Sequence, residues 1–396
     1  MIQPAPENPR TARRTHGFTE SVIREMTRFA AEHEALNLAQ GFPDFPAPDA
    51  LKAAAVEAVR RDVNQYAVTW GSPRIRRALG VAYHEWYGLE IDPDRQVTVT
   101  CGATEAMASA LLAVVDPDDE VIVLEPFYEN YGPDAILCGA RPVWVPMERT
   151  RRDGGLAFEL DLDRLAAAFS DRTRAIVLNS PNNPSGHVFQ RDELEAIAEL
   201  CRRHDAIAFT DEIYEHIRYD GAHVPLATLD GMADRTVTIS GASKTFSVTG
   251  WRVGWIVAPP DLTGAIRKVH DFLTVGAPAP LQDAVAHGLE TLNDEYYATL
   301  AADYRRRRDT LHAALVHAGF DCSPPEGAYY ILADFSALSD EPDDTFARRL
   351  AAEAGVATVP GSSFFHEPGL GRDLVRFAFC KRVETLEAAG ERLRGL

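Results

Sequence analysis

The stretch TVTISGASKTFSVTGWRVGWIVAP, residues 236–259, sets a lysine between two apolar runs. The runs at 236–240 and 255–259 are short and bounded by turn residues, which is typical of buried strands. Lys244 stands between them among small and hydroxyl residues, without an acid nearby in the chain. A lysine in such a partly desolvated setting has a lowered pKa and can act as a Schiff-base nucleophile. The alternative is a loop lysine in a salt bridge.

Similar apolar runs recur from about residue 50 onward, with helical segments between several of them. They stand at 96–100, 120–126, 175–181 and 206–212. Near-continuous apolar strands that alternate with helices indicate a mostly parallel sheet covered on both faces, and hence an α/β core.

The pattern changes after about residue 290. A long polar helix carrying Arg305–Arg308 is followed by shorter helical and strand-like segments, which predicts a smaller α+β domain. The four arginines are interpreted as a solvated helix face. The first 20 or so residues, rich in proline, arginine and threonine, are interpreted as an arm.

Composition limits the class of protein. The chain has 396 residues, more than one ordinary core accommodates, and a formal net charge of −19, which disfavours sequence-independent binding of nucleic acid. No apolar run is long enough for a transmembrane helix, and no secretory signal is expected. The five scattered cysteines and twelve histidines form no metal-binding motif, so we expect no metal and a cytoplasmic protein.

Polar residues follow the predicted strands, at the edge where open parallel sheets bind ligands. Gly102 allows a turn into a helix whose first amides, at Ala103 and Thr104, can form an anion site. The alternative is an ordinary strand–helix turn that binds no ligand. Asn183 lies in a Pro/Asn/Gly turn and can donate its amide to a ligand oxygen.

Two more strand ends carry chemistry. Asp211 is costly to bury unless it meets a cation, and Tyr214 follows three residues later; an aspartate cap with a packing tyrosine is the alternative. Arg252 can fork two donors onto a phosphate, eight residues after Lys244. Together, the four strand ends match a ligand with a phosphate, a phenolic oxygen, an aldehyde and a protonatable ring nitrogen, which is pyridoxal 5′-phosphate.

The chain resembles the class I/II aminotransferases of the fold-type I pyridoxal-phosphate enzymes, from about residue 17 to its end. Within them it is similar to the group of kynurenine/glutamine transaminases and bacterial methionine aminotransferases. The matching stretches, in chain order, are NLAQGFPDFPAP, NQYAVTWGSP, VTCGATEA, EPFYENY, LNSPNNPSG, TDEIYE, SKTFSVTGWRVGW, PEGAYY and VRFAFC. The resemblance implies a seven-stranded, mostly parallel sheet in a large domain at 49–290. It also implies a small α+β domain at 291–396, to which part of 1–48 is added.

The resemblance implies transamination between an L-amino acid and a 2-oxo acid. Lys244 would form the internal aldimine with pyridoxal 5′-phosphate and move the substrate's α-proton. Asp211 would face the ring nitrogen and keep it protonated, so that the ring acts as an electron sink. Tyr214 and Asn183 would hydrogen-bond the phenolic oxygen, and Tyr128 would stack on the ring.

The resemblance also implies how the phosphate and the substrate are held. The amides of Ala103 and Thr104 after Gly102, with Arg252, would bind the phosphate. A tyrosine matching Tyr66 reaches the phosphate of the neighbouring subunit, which implies a homodimer with shared sites. The substrate would meet Gly41, Ile23, Asn183 and Arg376, the last of which matches the arginine that clamps the α-carboxylate.

Several positions depart from the kynurenine/glutamine enzymes, which have tryptophan where Ile23 stands, tyrosine at Thr104, and Phe–His at Val275–Gly276. A less aromatic pocket is therefore expected, for a neutral, sulfur-containing, glutamine-like or aromatic amino acid. A serine that often binds the phosphate is replaced by Gly241, so that hydrogen bond is expected to be missing or to move to Ser240 or Ser243.

Other functions share this cofactor site. Pyridoxal-phosphate β-lyases, oxidases and cyclising enzymes have the same fold and lysine, and the cofactor residues do not separate them from aminotransferases. Transcription regulators with this fold carry an N-terminal DNA-binding domain, for which a resemblance that starts near residue 17 leaves no room. A dinucleotide-binding domain is disfavoured because no GxGxxG follows the first strands.

Overall fold

The computed structural model describes residues 10–396, and the proline-rich beginning of the predicted arm lies outside that range. Within the described range, the arm continues as a short 3-10 helix at Arg13–Gly17. The described helices are α1 (Val22–Glu32), α2 (Asp49–Arg60), α3 (Pro73–Tyr87), α4 (Ala103–Val114), α5 (Tyr131–Leu137), α6 (Leu162–Ala168), α7 (Arg191–His204), α8 (Ala242–Thr245), α9 (Pro260–Thr274), α10 (Ala279–Thr291), α11 (Asp294–His317), α12 (Asp343–Arg349) and α13 (Val383–Leu393).

The described strands form four sheets. The strands are β1 (Leu36–Asn37), β2 (Val97–Thr100), β3 (Glu120–Glu125), β4 (Arg141–Pro146), β5 (Glu148–Arg152), β6 (Gly155–Glu159), β7 (Thr173–Asn179), β8 (Ile207–Asp211), β9 (Thr236–Gly241), β10 (Gly254–Val257), β11 (Tyr330–Asp334), β12 (Val356–Ala357), β13 (Val359–Pro360) and β14 (Leu374–Ala378).

The largest sheet has seven strands in the order β2-β10-β9-β8-β7-β3-β4. Strand β10 runs antiparallel to both of its neighbours, and the other pairs are parallel. The predicted mostly parallel seven-stranded α/β sheet is therefore confirmed. The antiparallel strand is the second apolar run of the opening stretch, which returns beside β9 after the lysine loop.

Alternate residues of the strands pack on opposite faces of this sheet, because successive side chains of a strand point to opposite sides. Val121, Val177 and Phe209 pack on one face in a cluster with residues of α4, α5 and α9. Ile122 and Ile176 pack on the other face in a cluster with α7. Both faces are covered, which explains why the strands read as unbroken apolar runs.

A second, antiparallel sheet of β11, β14 and β13 lies towards the C-terminus and carries Arg376 in the middle of β14. Strand β1, just before Gly41, pairs with β12. This pairing joins a segment near the beginning of the chain to one near its end. Side chains of α1 pack in the same apolar cluster as the residues of β12.

In the long helix α11, the exposure of four consecutive arginines differs from the prediction. Arg305–Arg308 was interpreted as a solvated face, and the first two side chains are indeed 43% and 64% exposed, but the last two are only 11% exposed. Arg307 lies over the ring of Phe45 at 4.3 Å, and Arg308 lies over Tyr219 at 4.6 Å. Their stems and guanidinium planes cover aromatic surface, a role that their charge did not predict.

Across residues 10–396, none of the helices combines the length and the apolar character that crossing a bilayer requires.

Candidate active site

A cavity opens beside the carboxyl ends of β7, β8 and β9. It brings together the residues that the resemblance assigns to the cofactor and the substrate, except Gly102 and Tyr66. Its lining includes Ile23, Gly41, Ala103, Thr104, Tyr128, Asn183, Asp211, Tyr214, Lys244, Arg252 and Arg376. These positions are far apart in the chain, and the parallel strands and the small sheet carry them to one place.

Lys244 lies in the single turn α8, directly after β9. Its Nζ donates a hydrogen bond to the carbonyl oxygen of Gly41 at 3.3 Å, and it lies near the rings of Tyr214 and Tyr329. Loss of water around the amine lowers the pKa of Lys244 to about 8. An appreciable fraction of the amine is therefore uncharged, and hence nucleophilic, near neutral pH.

Asp211 is the last residue of β8 and is buried. Its Oδ2 accepts a hydrogen bond from the hydroxyl of Tyr131 at 2.8 Å, and Oδ1 accepts one from the N–H of Ile213. Burial raises the pKa of Asp211 to about 6, and Lys244 is among the charges that oppose the rise. Tyr131 was missed by the sequence reasoning, although it ends the quoted stretch EPFYENY.

An anion-binding turn stands at the beginning of α4. Gly102 has a φ of +85°, and a Cβ there would lie 2.2 Å from Nη2 of Arg252. Arg252, itself in a left-handed conformation, donates from Nη2 to the carbonyl oxygen of Cys101 at 3.2 Å. Ala103, Thr104 and Arg252 line the same cavity, and amides at the beginning of a helix together with a guanidinium can bind a phosphate.

Hydroxyl and amide groups line the wall between the lysine and the small sheet. The hydroxyls of Tyr214 and Tyr330 are 3.1 Å apart. The N–H of Asn183 donates to the side chain of Asn179, the last residue of β7, which fixes the turn after that strand. The side chain of Asn183 also lines the cavity.

Arg376 projects from β14 into this wall and is completely buried. Its Nη1 donates to Oδ1 of Asn183 at 2.7 Å and its Nη2 to the carbonyl oxygen of Ala39 at 2.8 Å. Within the described part of the chain, its buried Nε has no hydrogen-bond partner. Because such a donor is costly to leave unpaired, it marks a position for an acceptor atom of a ligand.

Gly41 is held close to the tyrosines of the wall. Its carbonyl oxygen accepts a hydrogen bond from the hydroxyl of Tyr329 at 2.8 Å, besides the one from Lys244. A Cβ at Gly41 would lie 1.9 Å from the hydroxyl oxygen of Tyr330, so only glycine fits here without movement.

The positions that depart from the kynurenine/glutamine enzymes divide into two groups. Ile23 and Thr104 line the cavity of this chain. Val275 is 49% exposed, and neither it nor Gly276 lines that cavity. Tyr66 is likewise directed outward, with 88% of its surface exposed.

The structure separates the two serines suggested as replacements for the phosphate ligand lost at Gly241. The hydroxyl of Ser240 donates to buried Glu215 and does not line the cavity, so this suggestion was wrong. Ser243 does line the cavity. The sequence could not distinguish them, because the partner of Ser240 lies on a different segment.

The cavity fits pyridoxal 5′-phosphate by the chemistry of its donors. A guanidinium and helix amides stand at one end, a buried carboxylate supported by Tyr131 stands at the strand ends, and a lysine of lowered pKa lies alongside. The unpaired Nε of Arg376 supplies a further donor for a carboxylate. Such a set can hold a phosphate, a protonated ring nitrogen, an aldehyde and an amino acid together.

Known proteins resemble the chain over almost its whole length. The family model for aminotransferase class I and II matches residues 33–393. A probable N-succinyldiaminopimelate aminotransferase of Mycobacterium tuberculosis is 41% identical, covering 97% of this chain and 98% of its own. Human kynurenine–oxoglutarate transaminase 1 is 38% identical, covering 97% of each. A crystal structure of an Escherichia coli protein with a methionine aminotransferase function superposes with a TM-score of 0.92 at 36% identity, over 99% of this chain and 100% of its own.

Proposed function

Because this chain belongs to the class I and II aminotransferase family, we propose that its cavity binds pyridoxal 5′-phosphate and uses Lys244 to transaminate an L-amino acid. The chain is an aminotransferase of a family whose reaction depends on this cofactor. The observation that carries the residue assignment is that Lys244, Asp211 and Arg376 line one cavity.

The cofactor, when bound, supplies an aldehyde that joins to amines and a ring that withdraws electrons from the substrate's α-carbon. We assign Asp211 to the ring nitrogen, where its carboxylate holds a proton in place. The hydroxyl of Tyr131 keeps that carboxylate oriented, because it donates a hydrogen bond to Oδ2 of Asp211. We assign Arg252 and the amides of Ala103 and Thr104 to the phosphate, and Tyr214, Asn183 and Tyr128 to the ring and its oxygen.

Lys244 has two tasks in this proposal. Its amine would hold the cofactor through the aldehyde. When it is not so engaged, Nζ, whose pKa burial lowers to about 8, would take the proton from the substrate's α-carbon. Arg376 binds the α-carboxylate through its unpaired Nε and an adjacent Nη, which orients the α-C–H bond towards the amine.

A homodimer with shared sites is part of the proposal. Tyr66, Phe272 and Val275 are 88%, 91% and 49% exposed, and neighbouring exposed apolar side chains can mark a contact with another protein. Gly276 lies against Thr69, so the segments around these residues are neighbours. We propose that this surface meets a second copy and that Tyr66 reaches the partner's phosphate. Sedimentation would show a dimer, whereas a fully active monomer would contradict this part.

The substrate is proposed to be a neutral, sulfur-containing, glutamine-like or aromatic L-amino acid, with a 2-oxo acid as acceptor. Support comes from relatives named for kynurenine and methionine, while another is named for N-succinyldiaminopimelate. Ile23 and Thr104 leave the pocket without large aromatic groups at those positions. Single-turnover mixing with a panel of amino acids would rank them, by the rate at which the cofactor accepts the amino group.

We also propose a cytoplasmic location, which the five free cysteines of the described chain support.

Replacement of Lys244 tests the central assignment. Lys244→Ala removes both the amine that holds the cofactor and the base, so we expect kcat to fall by about two to four orders of magnitude. The visible absorbance of the lysine-bound cofactor should disappear as well. Lys268→Ala, at an exposed lysine of α9, is the matched control and should keep both. Normal turnover by Lys244→Ala would reject the assignment.

A further inference from the structure

His270 is a buried side chain of α9 that lies behind the anion-binding turn and outside the cavity. Its imidazole is completely buried. The Nε2 atom lies 2.8 Å from the carbonyl oxygen of Thr69, and Nδ1 lies 3.0 Å from Oε1 of Glu105. The hydroxyl of Thr274, at 3.3 Å from Nδ1, completes its polar surroundings. Both ring nitrogens are therefore engaged by oxygen atoms from different segments.

These partners determine the charge of the ring. A carbonyl oxygen only accepts hydrogen bonds, so Nε2 carries a proton. Glu105 accepts a second hydrogen bond, from the N–H of Cys101 at 3.0 Å, and lies in the first turn of α4, where a negative charge is stabilised. An ionised Glu105 also only accepts, so Nδ1 carries a proton too. Burial by itself would lower the pKa of His270, but the hydrogen bond and charge of Glu105 raise it overall.

The imidazolium connects two parts of the chain that hold the cofactor's phosphate in the proposed function. On one side, Glu105 bonds the N–H of Cys101, and the carbonyl oxygen of Cys101 accepts from Nη2 of Arg252 at 3.2 Å. On the other side, Thr69 belongs to the segment that carries Tyr66. One buried cation therefore sets the position of the turn before Ala103 relative to that segment.

We propose that His270, as a buried imidazolium paired with Glu105, is a positioning residue for the phosphate end of the cofactor site. This inference rests on the proposed function, because it takes the Gly102–Thr104 turn and Arg252 as the phosphate site. His270 does not touch the ligand. It acts by keeping the main chain at Cys101 and Thr69 in the arrangement that presents their neighbours to the phosphate.

The test compares two ligands that differ only in the phosphate. Dimeric holoenzyme is prepared with the native chain, with His270→Gln and with Glu105→Gln, and cofactor loss into a trap is measured. The emptied proteins are then titrated with pyridoxal 5′-phosphate and with pyridoxal, following the absorbance of the lysine-bound aldehyde. His312→Gln is the matched control, because His312 is a partly buried helix histidine that also bonds a carbonyl oxygen, remote from the cavity.

We expect both variants to bind pyridoxal 5′-phosphate roughly tenfold to a hundredfold more weakly, as for loss of a charge-assisted hydrogen bond. Binding of pyridoxal should change little, since it makes no use of the turn. The ³¹P resonance of the bound cofactor should shift in the variants and stay unchanged in His312→Gln. Equal losses for both ligands, or no loss for either, would overturn the role of His270. If the native chain binds neither ligand, the proposed function itself fails.

Discussion

Arg376 has a buried donor, Nε, that finds no hydrogen-bond partner within the described part of the chain. Two of its nitrogens are bonded to Asn183 and Ala39, and the guanidinium lies over the ring of Tyr330 at 4.2 Å. The plane of the fork is therefore fixed before any ligand arrives, and within the described chain Nε is left unpaired. A preorganised fork loses little rotamer freedom on binding, which favours a planar carboxylate.

Arg376→Lys should show whether that fork is used. Lysine keeps the charge but not the two parallel donors, so we expect kcat/KM to fall by about tenfold to a hundredfold, mainly through KM. Steady-state kinetics with several amino acids measures the change. Arg76→Lys, at another buried arginine that bonds carbonyl oxygens but does not line the cavity, is the control. Unchanged kinetics in Arg376→Lys would remove Arg376 from the substrate site.

At the level of elements, the beginning of α4 is shaped by the close approach of two segments. Gly102 takes a left-handed φ so that the chain can turn out of β2, and Arg252 fills the space where a Cβ would stand. Ala103 and Thr104, the first residues of α4, line the cavity directly after this turn. Both properties, the φ and the absence of a side chain, are available together only in glycine.

Gly102→Ala tests this element. The methyl group would meet the Arg252 guanidinium, so we expect affinity for pyridoxal 5′-phosphate to fall at least about tenfold, besides a loss of about 1–2 kcal/mol in stability from the left-handed φ. Gly88→Ala is a matched control, because Gly88 also has a positive φ, +67°, but open space around a Cβ. The control should lose stability alone. Equal cofactor affinity in both variants would mean that the contact with Arg252 does not matter.

At the level of the whole molecule, His187 joins two sections that we propose to be separate domains, 49–290 and 291–396. The buried imidazole lies 3.1 Å from Glu193, on α7, and 3.4 Å from Glu326, just before β11. Burial opposes its charge, but the two glutamates outweigh burial and raise the pKa of His187 to about 9. The same contact helps to lower the pKa of Glu326 to about 2, although burial alone would raise it.

The free energy of unfolding should depend on pH through this contact. A histidine whose pKa is raised by folding contributes fully below its unfolded pKa, about 6.5, and this contribution is lost as pH rises through about 9. Glu326 contributes fully to the free energy of unfolding above its unfolded pKa, about 4.5, and this contribution is lost as the pH falls towards 2. Both contributions are complete only between about pH 4.5 and 6.5.

His187→Gln isolates the histidine. The difference in unfolding free energy between native and variant proteins should be largest near pH 6 and shrink between pH 6.5 and 9, by up to about 3 kcal/mol. Denaturant unfolding across this range measures it. The same substitution at an exposed histidine, His84→Gln on α3, is the control for the change of side chain itself. A constant difference at all pH values would show that folding does not shift the pKa of His187, and would contradict this prediction.

Much of the fold could be read from local patterns. Apolar runs of strand length between helical segments predicted the parallel sheet. The polar residues at four strand ends, Lys244 and Arg252 among them, together predicted the cofactor. These features depend on neighbours within a few residues, because period, turn residues and local charge set them. The likeness of whole motifs added the substrate arginine, which its own surroundings in the chain do not reveal.

Contacts between residues far apart in the chain could not be predicted from local patterns. The bond from Tyr131 to Asp211 joins residues 80 apart, and those of His270 to Glu105 and Thr69 join residues 165 and 201 apart. Packing between distant segments also decides three other features. These are the antiparallel direction of β10, the burial of Arg307 and the hydrogen bond from Ser240 to Glu215. Periodicity shows which face of an element is buried but not what it is buried against, so these partners emerge only when the segments fold together.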